Sequence, residues 1–324
     1  MFKNIPSYTP QEIIDKAFMK AKKVSVKRGK DWQKKMEIAK INVACSVASL
    51  SLHKIVRRFP SFDNLSPFYA ELCDILVGND LLKKNLGALQ WAEDRIRKLR
   101  HEYILSVKKV RTNKEILKLR RQCYARLNSI LKQVGPNLFF LSEARERIKQ
   151  LPHVEEGLFT VVIAGFPNVG KSYLLKRFTG ANPDIQPYPF TTKGINVGYM
   201  PHRHTKIQFI DTPGLLDRPL SERNNIERLA ILALDHLATM ILFVIDSSEM
   251  CGYTIEDQMR LMKEIEDIFK NAIVINNKCD LKGSGAYINV SAKDGEGIEE
   301  LKEKILLLSK NYSKDKSSFF KLPS

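Results

Sequence analysis

No stretch of this sequence is apolar over the roughly 18 residues that a membrane-spanning helix requires. The strongest apolar run, Met240 to Ile245, has only the length of a strand. A helical span is therefore excluded and no membrane partner is expected. No charged segment followed by an apolar one stands near the start, so a secretory leader is not expected and the cytoplasm is the expected compartment. Cysteine is scarce and unpaired: Cys45, Cys73, Cys123, Cys251 and Cys279 form no CxxC motif and are odd in number. That excludes a disulfide framework and a zinc site, and leaves small buried hydrophobes. Only His202 and His204 among six histidines lie close together, beside Pro201 in an expected hairpin turn, which reads as a polar loop.

Acidic residues are what the first half lacks. Residues 1–150 hold 32 Lys plus Arg against 14 Asp plus Glu, whereas the remainder holds 21 against 22. The whole excess of +17 thus belongs to one half of the chain. A one-sided positive charge of this size attracts polyanions, and Lys and Arg contacts to phosphate are the main sequence-independent source of nucleic-acid affinity.

At 324 residues with 44% hydrophobic content, the chain is long enough for two structural units. From about residue 10 to 150 apolar residues recur every three or four positions, as at Leu127, Ile130, Leu131 and Val134, which predicts a bundle of five or six helices. Thr9, Pro10 and Glu12 read as a capping box with proline in the first turn, and Ser66 with Pro67 as a second helix start. The prolines between Phe59 and Pro67 should separate two helices. Trp32 and Trp91 are expected in a core or interface.

From Phe159 the pattern changes to short β-rich runs alternating with helical stretches: Phe159 to Ala164, Ile195 to Met200, Lys206 to Ile210, Met240 to Ile245, Ala272 to Ile275 and Tyr287 to Val290. This order predicts an α/β domain with a mostly parallel central sheet, preceded by the all-α bundle. The expected division is a basic helical domain at 1–157, an α/β domain at 158–310 and a polar tail at 311–324.

Four motifs sit at the ends of these strands. Gly165-Phe-Pro-Asn-Val-Gly170-Lys171-Ser172 fits GxxxxGK[ST] directly after a strand. Its glycines let backbone N–H groups, including that of Val169, face phosphate oxygens at a helix N-terminus, where Tyr173 stands in the first turn. Lys171 would reach the β- and γ-phosphates, and Ser172 would bind Mg²⁺ through its hydroxyl. In Asp211-Thr-Pro-Gly214, Asp211 would hold the same Mg²⁺ and the Gly214 N–H would meet the γ-phosphate. Asn277-Lys278-Cys279-Asp280 reads guanine, because the Asp280 carboxylate can accept both the N1 and N2 protons that adenine does not offer together. Lys278 would pack along the base and brace the phosphate loop, and Asn277 would tie the loops together. In Ser291-Ala292-Lys293 the Ala292 N–H is expected near guanine O6. The four together point to a P-loop GTPase using GTP, GDP and Mg²⁺.

With these motifs the chain resembles the Obg group of P-loop GTPases, and within it the nucleolar GTP-binding (Nog) family in a short, archaeal-like form. Phe59-Pro-Ser-Phe-Asp, Ser66-Pro-Phe-Tyr and Leu86-Gly-Ala in the helical half resemble that family as well. The resemblance implies a ribosome-assembly GTPase that binds ribosomal RNA on a large-subunit precursor and is otherwise a monomer. It also implies that a threonine in Tyr188-Pro-Phe-Thr191-Thr192 closes over Mg²⁺ and the γ-phosphate; spacing favours Thr192, with Thr191 in reserve.

Leu215 occupies the position of the water-orienting glutamine of Ras-like GTPases, so no catalytic side chain is identified and intrinsic hydrolysis should be slow, about 10⁻⁴ to 10⁻³ s⁻¹. Asn168 matches an asparagine that in several related GTPases helps to coordinate K⁺ beside the phosphates. The RNA-binding candidates are Lys20, Lys22, Lys23, Lys27, Arg28, Lys30, Lys34 and Lys35, with Lys108, Lys109, Arg111, Lys118, Arg120 and Arg121. Two rivals stand beside this reading. A protein-targeting GTPase also joins a helical bundle to a P-loop domain, but with a Gly-Lys-Thr-Thr loop and an insertion that are not evident here. A GTP-dependent scaffold would bind without significant hydrolysis.

Overall fold

The computed structural model describes residues 5–29, 31–180, 183–188, 191, 194–202, 205–269 and 271–319, the last seven by backbone alone. Six helices precede the first strand: α1 (Pro10–Lys22), α2 (Trp32–Arg58), α3 (Pro67–Val77), α4 (Asn79–Lys109), α5 (Asn113–Gln133) and α6 (Gly135–Ile148). Thr9 and Glu12 form the expected reciprocal cap of α1, at 3.2 and 2.8 Å. Pro67 opens α3 after the break that follows Arg58. In the long helices one stripe is apolar: Leu89, Ala92, Ile96 and Leu99 of α4 are buried, as are Ile41, Leu52 and Ile55 of α2, the helix on which α4 packs. Trp91 falls on the opposite side of that stripe and is 47% exposed, so it is a surface residue and not a core one.

The chain forms two compact units. One comprises the residues up to Leu65 with Leu76–Lys149, and the other Ser66–Ile75 with the chain from Gln150 onward. Most of α3 and the link before residue 157 therefore group with the α/β unit, unlike the division at 157 expected from sequence. The cause is a set of polar contacts. The Tyr69 hydroxyl donates to Pro152 O at 2.9 Å and accepts from Val154 N at 3.3 Å, Ser66 bonds Glu156, and His236 Nε2 lies 2.8 Å from Glu71.

In the second unit the elements are β1 (Phe159–Ala164), α7 (Lys171–Thr179), β2 (Asp184–Gln186), β3 (Ile195–His202), β4 (Thr205–Asp211), α8 (Asn225–Asp235), β5 (Met240–Ile245), α9 (Ile255–Glu266), β6 (Ala272–Asn276), β7 (Ile288–Asn289) and α10 (Ile298–Phe319). The sheet order is β2-β3-β4-β1-β5-β6-β7. β3 and β4 form an antiparallel hairpin and β2 pairs antiparallel with β3, whereas β4, β1, β5, β6 and β7 run parallel. Every residue of β1 and β5 is buried, as expected of central strands covered on both faces. Because the five parallel strands point the same way, the loops after them share one edge, the usual ligand edge of such sheets.

Two elements differ from the sequence reading. β2 was not expected, being three residues long and largely exposed. α10 continues to Phe319 in place of a tail from 311, since no glycine or proline interrupts residues 311–319 and the Tyr312 ring packs edge-on against Phe159 at 5.6 Å. Among the described residues no helix is long and apolar enough to cross a membrane, and no cluster of metal-ligating side chains is found. His202 closes the hairpin opposite Thr205, and His204 lies outside the described residues.

Candidate nucleotide site

The loop between β1 and α7 wraps because its backbone enters the left-handed region at Gly165 (φ 136°), Asn168 (φ 63°) and Gly170 (φ 102°). A side chain is sterically forbidden at the two glycines. A Cβ on Gly165 would stand 2.4 Å from Val244 O, and one on Gly170 2.1 Å from Asn277 Nδ2. The result presents the α7 N-terminus, with its unpaired N–H groups, toward the ligand edge.

Lys171 is buried inside this loop, and its ammonium donates to Gly165 O at 2.7 Å and Phe166 O at 2.8 Å. Burial holds its pKa below the ordinary lysine value, and the nearby Asp211 and Asp217 carboxylates oppose that shift without cancelling it. Two of the three ammonium protons thus stiffen the loop. Ser172 Oγ donates to Asp211 Oδ2 at 2.7 Å, and Asn196 Nδ2 donates to the same oxygen at 3.1 Å. Asp211 is wholly buried, yet its other oxygen, Oδ1, meets no hydrogen-bond donor among the described residues, and neither does the Thr212 hydroxyl. A buried carboxylate oxygen lacking a donor, beside a serine hydroxyl, is the oxygen-donor chemistry that Mg²⁺ requires, so Ser172 and Asp211 fit that ion. Thr192 lies outside the described residues. The Thr191 hydroxyl donates to Tyr188 O at 2.9 Å, a local turn contact. Tyr188 itself is buried and donates from its hydroxyl to Ala230 O at 2.7 Å, which ties it to α8.

Beyond the phosphate loop lies a cavity of about 370 Å³ lined by Asn168, Gly170, Tyr173, Asn277, Lys278, Asp280, Ser291, Ala292 and Lys293. Asn277 bridges three loops: its Nδ2 donates to Val169 O at 2.7 Å and its Oδ1 accepts from Ala292 N at 2.9 Å. Ser291 Oγ donates to Asp294 Oδ2 at 2.8 Å and closes the last of them. Asp280 stands exposed on the cavity wall.

Two roles differ from those read in the sequence. The Lys278 ammonium pairs with Asp246 Oδ2 at 2.7 Å and makes no bond to the phosphate loop; Asn277 does that bracing. The Ala292 N–H, expected near guanine O6, donates here to Asn277 Oδ1 at 2.9 Å.

Several residues that build the site have no sequence motif. Asp246, buried at the end of β5, accepts from Lys278, from Ser248 N at 3.0 Å and from Cys251 N at 2.9 Å. Burial alone would raise its carboxyl, but Lys278 and Ser248 outweigh that and hold its pKa below the ordinary value. Arg177, on α7, clamps the loop after β7 through Ala292 O at 2.7 Å and Lys293 O. Asn196 reaches Asp211 because the hairpin register sets the two opposite one another. That register was the one available signal.

Comparison with known proteins gives a consistent picture. The NOG1 N-terminal helical domain matches residues 2–155, and Nucleolar GTP-binding protein 1 (NOG1) matches residues 225–280. An uncharacterized protein of Methanocaldococcus jannaschii is 49% identical over 288 residues, covering 86% of this chain and 81% of that protein. Nucleolar GTP-binding protein 1 of Arabidopsis thaliana is 37% identical, covering 79% of this chain and 38% of that protein. The Saccharomyces cerevisiae protein of the same name is 35% identical, with 76% and 39% covered. The chain thus spans about four tenths of the length of these two eukaryotic relatives.

Proposed function

Since the chain belongs to the nucleolar GTP-binding protein 1 (NOG1) family, we propose that it is a GTP-binding and GTP-hydrolysing switch whose basic helical unit docks on ribosomal RNA of a large-subunit precursor. The observation that carries the nucleotide part is the Asn277 bridge, which joins the phosphate loop to both base-reading loops around one cavity. In this reading Asp280 selects guanine, Lys171 and the α7 N-terminus hold the phosphates, and Gly214 senses the third. Ser172, Asp211 and Thr192 would hold Mg²⁺, which neutralises charge on the β- and γ-phosphates.

Leu215 is buried, so hydrolysis needs a charge or a water-orienting group from elsewhere. Asn168, at the cavity edge, is proposed to hold K⁺ for that purpose. Phosphate release over many turnovers should then be several-fold faster in KCl than in NaCl, and equal rates would remove the role.

The RNA part rests on how the bundle gathers its charge. Lys34 Nζ donates to Lys108 O and Val110 O at 2.6 and 2.8 Å, which fastens the start of α2 to the end of α4. That contact brings the α1–α2 and α4–α5 connections to one end of the bundle. Lys20, Lys22, Lys23, Lys27, Arg28, Lys35, Lys108, Lys109, Arg111, Lys118 and Arg121 are exposed there, whereas Arg120 is taken up by Glu37 and Lys30 lies outside the described residues. Neutralising six phosphates would lower affinity for RNA by about 10³-fold between 50 and 200 mM salt. Filter binding to large-subunit rRNA over that salt range checks this, and a flat response would contradict phosphate contacts. Lys108→Gln with Lys109→Gln and Arg111→Gln should reduce the slope by about 2 to 3.

A further inference from the structure

The loop after β4 carries an anion of its own at the place reserved for the third phosphate. Gly214 N donates to Asp217 Oδ2 at 2.8 Å. The other oxygen, Oδ1, lies 3.5 Å from Arg223 Nη2. Arg223 is wholly buried, and its Nη1 donates to Gly214 O at 3.1 Å and its Nη2 to Arg218 O at 3.2 Å. Gly214, Asp217 and Arg223 therefore form a closed ring in which both faces of the Gly214 residue, its N–H and its C=O, are held. The Asp217 side chain is 15% exposed, so its carboxylate can swing to solvent, whereas Arg223 at 0% cannot.

A single N–H at this distance serves one acceptor well. The γ-phosphate assigned to the Gly214 N–H above would be a second anion competing for it. From this ring we propose that Asp217 is an internal competitor of the γ-phosphate: it occupies the Gly214 N–H when the ligand ends at the β-phosphate and must be displaced by the third. Arg223 keeps the Gly214 carbonyl fixed throughout, so that the N–H returns to Asp217 when the γ-phosphate leaves. The consequence is specific to one ligand. A diphosphate does not contest the N–H, so Asp217 lowers affinity for the triphosphate alone and sets how firmly the loop after β4 rests when GDP is bound. A ligand shifts such an equilibrium only through differential affinity, and Asp217 supplies part of the difference.

The proposal rests on the nucleotide site described above, and the test separates the two. Affinities of the intact chain for GDP and for a non-hydrolysable GTP analogue, with Mg²⁺ present, are measured by calorimetry for the unaltered protein and for Asp217→Ala and Asp217→Asn. Loss of a charge-assisted competitor predicts that Asp217→Ala binds the analogue about tenfold more tightly relative to GDP, with GDP affinity within twofold, and that Asp217→Asn, which keeps the shape, gains less. General damage to the loop lowers affinity and cannot raise it for one nucleotide selectively. Should Asp217→Ala fail to fold, the sign of the ratio change in Asp217→Asn decides. An unchanged or reduced preference for the analogue, with GDP still bound, overturns the competitor alone. Binding of neither nucleotide by the unaltered chain overturns the site and the competitor together.

Discussion

Asp280→Asn is expected to lower GTP affinity by two to three orders of magnitude and to admit xanthosine triphosphate in its place. The carboxylate accepts from two guanine donors, N1–H and the exocyclic N2–H. An asparagine offers one acceptor and one amide donor, so one bond is lost and two donors face each other. A hydrogen bond to a charged group contributes about 1.5 to 3 kcal/mol, and a donor left unpaired adds a further penalty of about 1 to 3 kcal/mol. The sum spans about 2.5 to 6 kcal/mol, and its lower half, about 3 to 4 kcal/mol, is a factor of a few hundred at about 1.4 kcal/mol per tenfold. Xanthine carries an oxygen at C2, which accepts from the new amide and restores the pair. Because Asp280 is exposed on the cavity wall, the fold should be untouched, with stability changed by no more than about 0.5 kcal/mol. Competition against a fluorescent guanine nucleotide measures the effect, and unchanged GTP selectivity would remove Asp280 from base reading.

Gly170→Ala should act on fold and site at once. Its Cβ would fall 2.1 Å from Asn277 Nδ2, and the backbone there has φ 102°, which alanine disfavours by about 1 to 2 kcal/mol. Asn277 cannot simply turn aside, because both ends of its amide are engaged, by Val169 O and by Ala292 N. Breaking those two bonds removes about 1 kcal/mol each. The expected loss is about 3 to 4 kcal/mol for the α/β unit, together with at least about a hundredfold weaker GTP binding. Denaturant unfolding read alongside nucleotide titration checks both. Full binding in a stable Gly170→Ala protein would mean that the phosphate loop and the base loop are not coupled through Asn277.

Much of this site was legible in the sequence, and for a physical reason. Groups that touch a nucleotide through backbone N–H need glycines, and carboxylates that meet a base or Mg²⁺ stand at fixed offsets from a strand end, so Gly165, Lys171, Ser172, Asp211, Asn277 and Asp280 form short local patterns. The structure collects them at one edge of the sheet. The residues that hold them there left no such trace. Arg177 acts on a loop 115 residues away, Asp246 acts on Lys278 32 residues on, and Asn196 depends on hairpin register. Such contacts exist only after the chain has closed.

The same division applies to the fold. β1 and β5 were readable to the residue because six consecutive apolar positions in β5, and five with one β-branched threonine, Thr160, in β1, match a strand buried on both faces. β2 was not, because three residues carry no period. The grouping of α3 with the α/β unit follows from Tyr69 reaching Pro152 and Val154, which no helical periodicity encodes. Charge behaved likewise. The surplus in residues 1–150 could be counted, but the contact that sets the start of α2 beside the end of α4 is made by Lys34 across more than seventy residues.

Titration of the intact chain with GTP and with ATP in Mg²⁺ buffer, followed by calorimetry, addresses the central claim most directly. The cavity and its carboxylate predict saturable binding of GTP at one site, tighter than ATP by at least a hundredfold. Equal affinity for the two, in folded protein, would contradict the account.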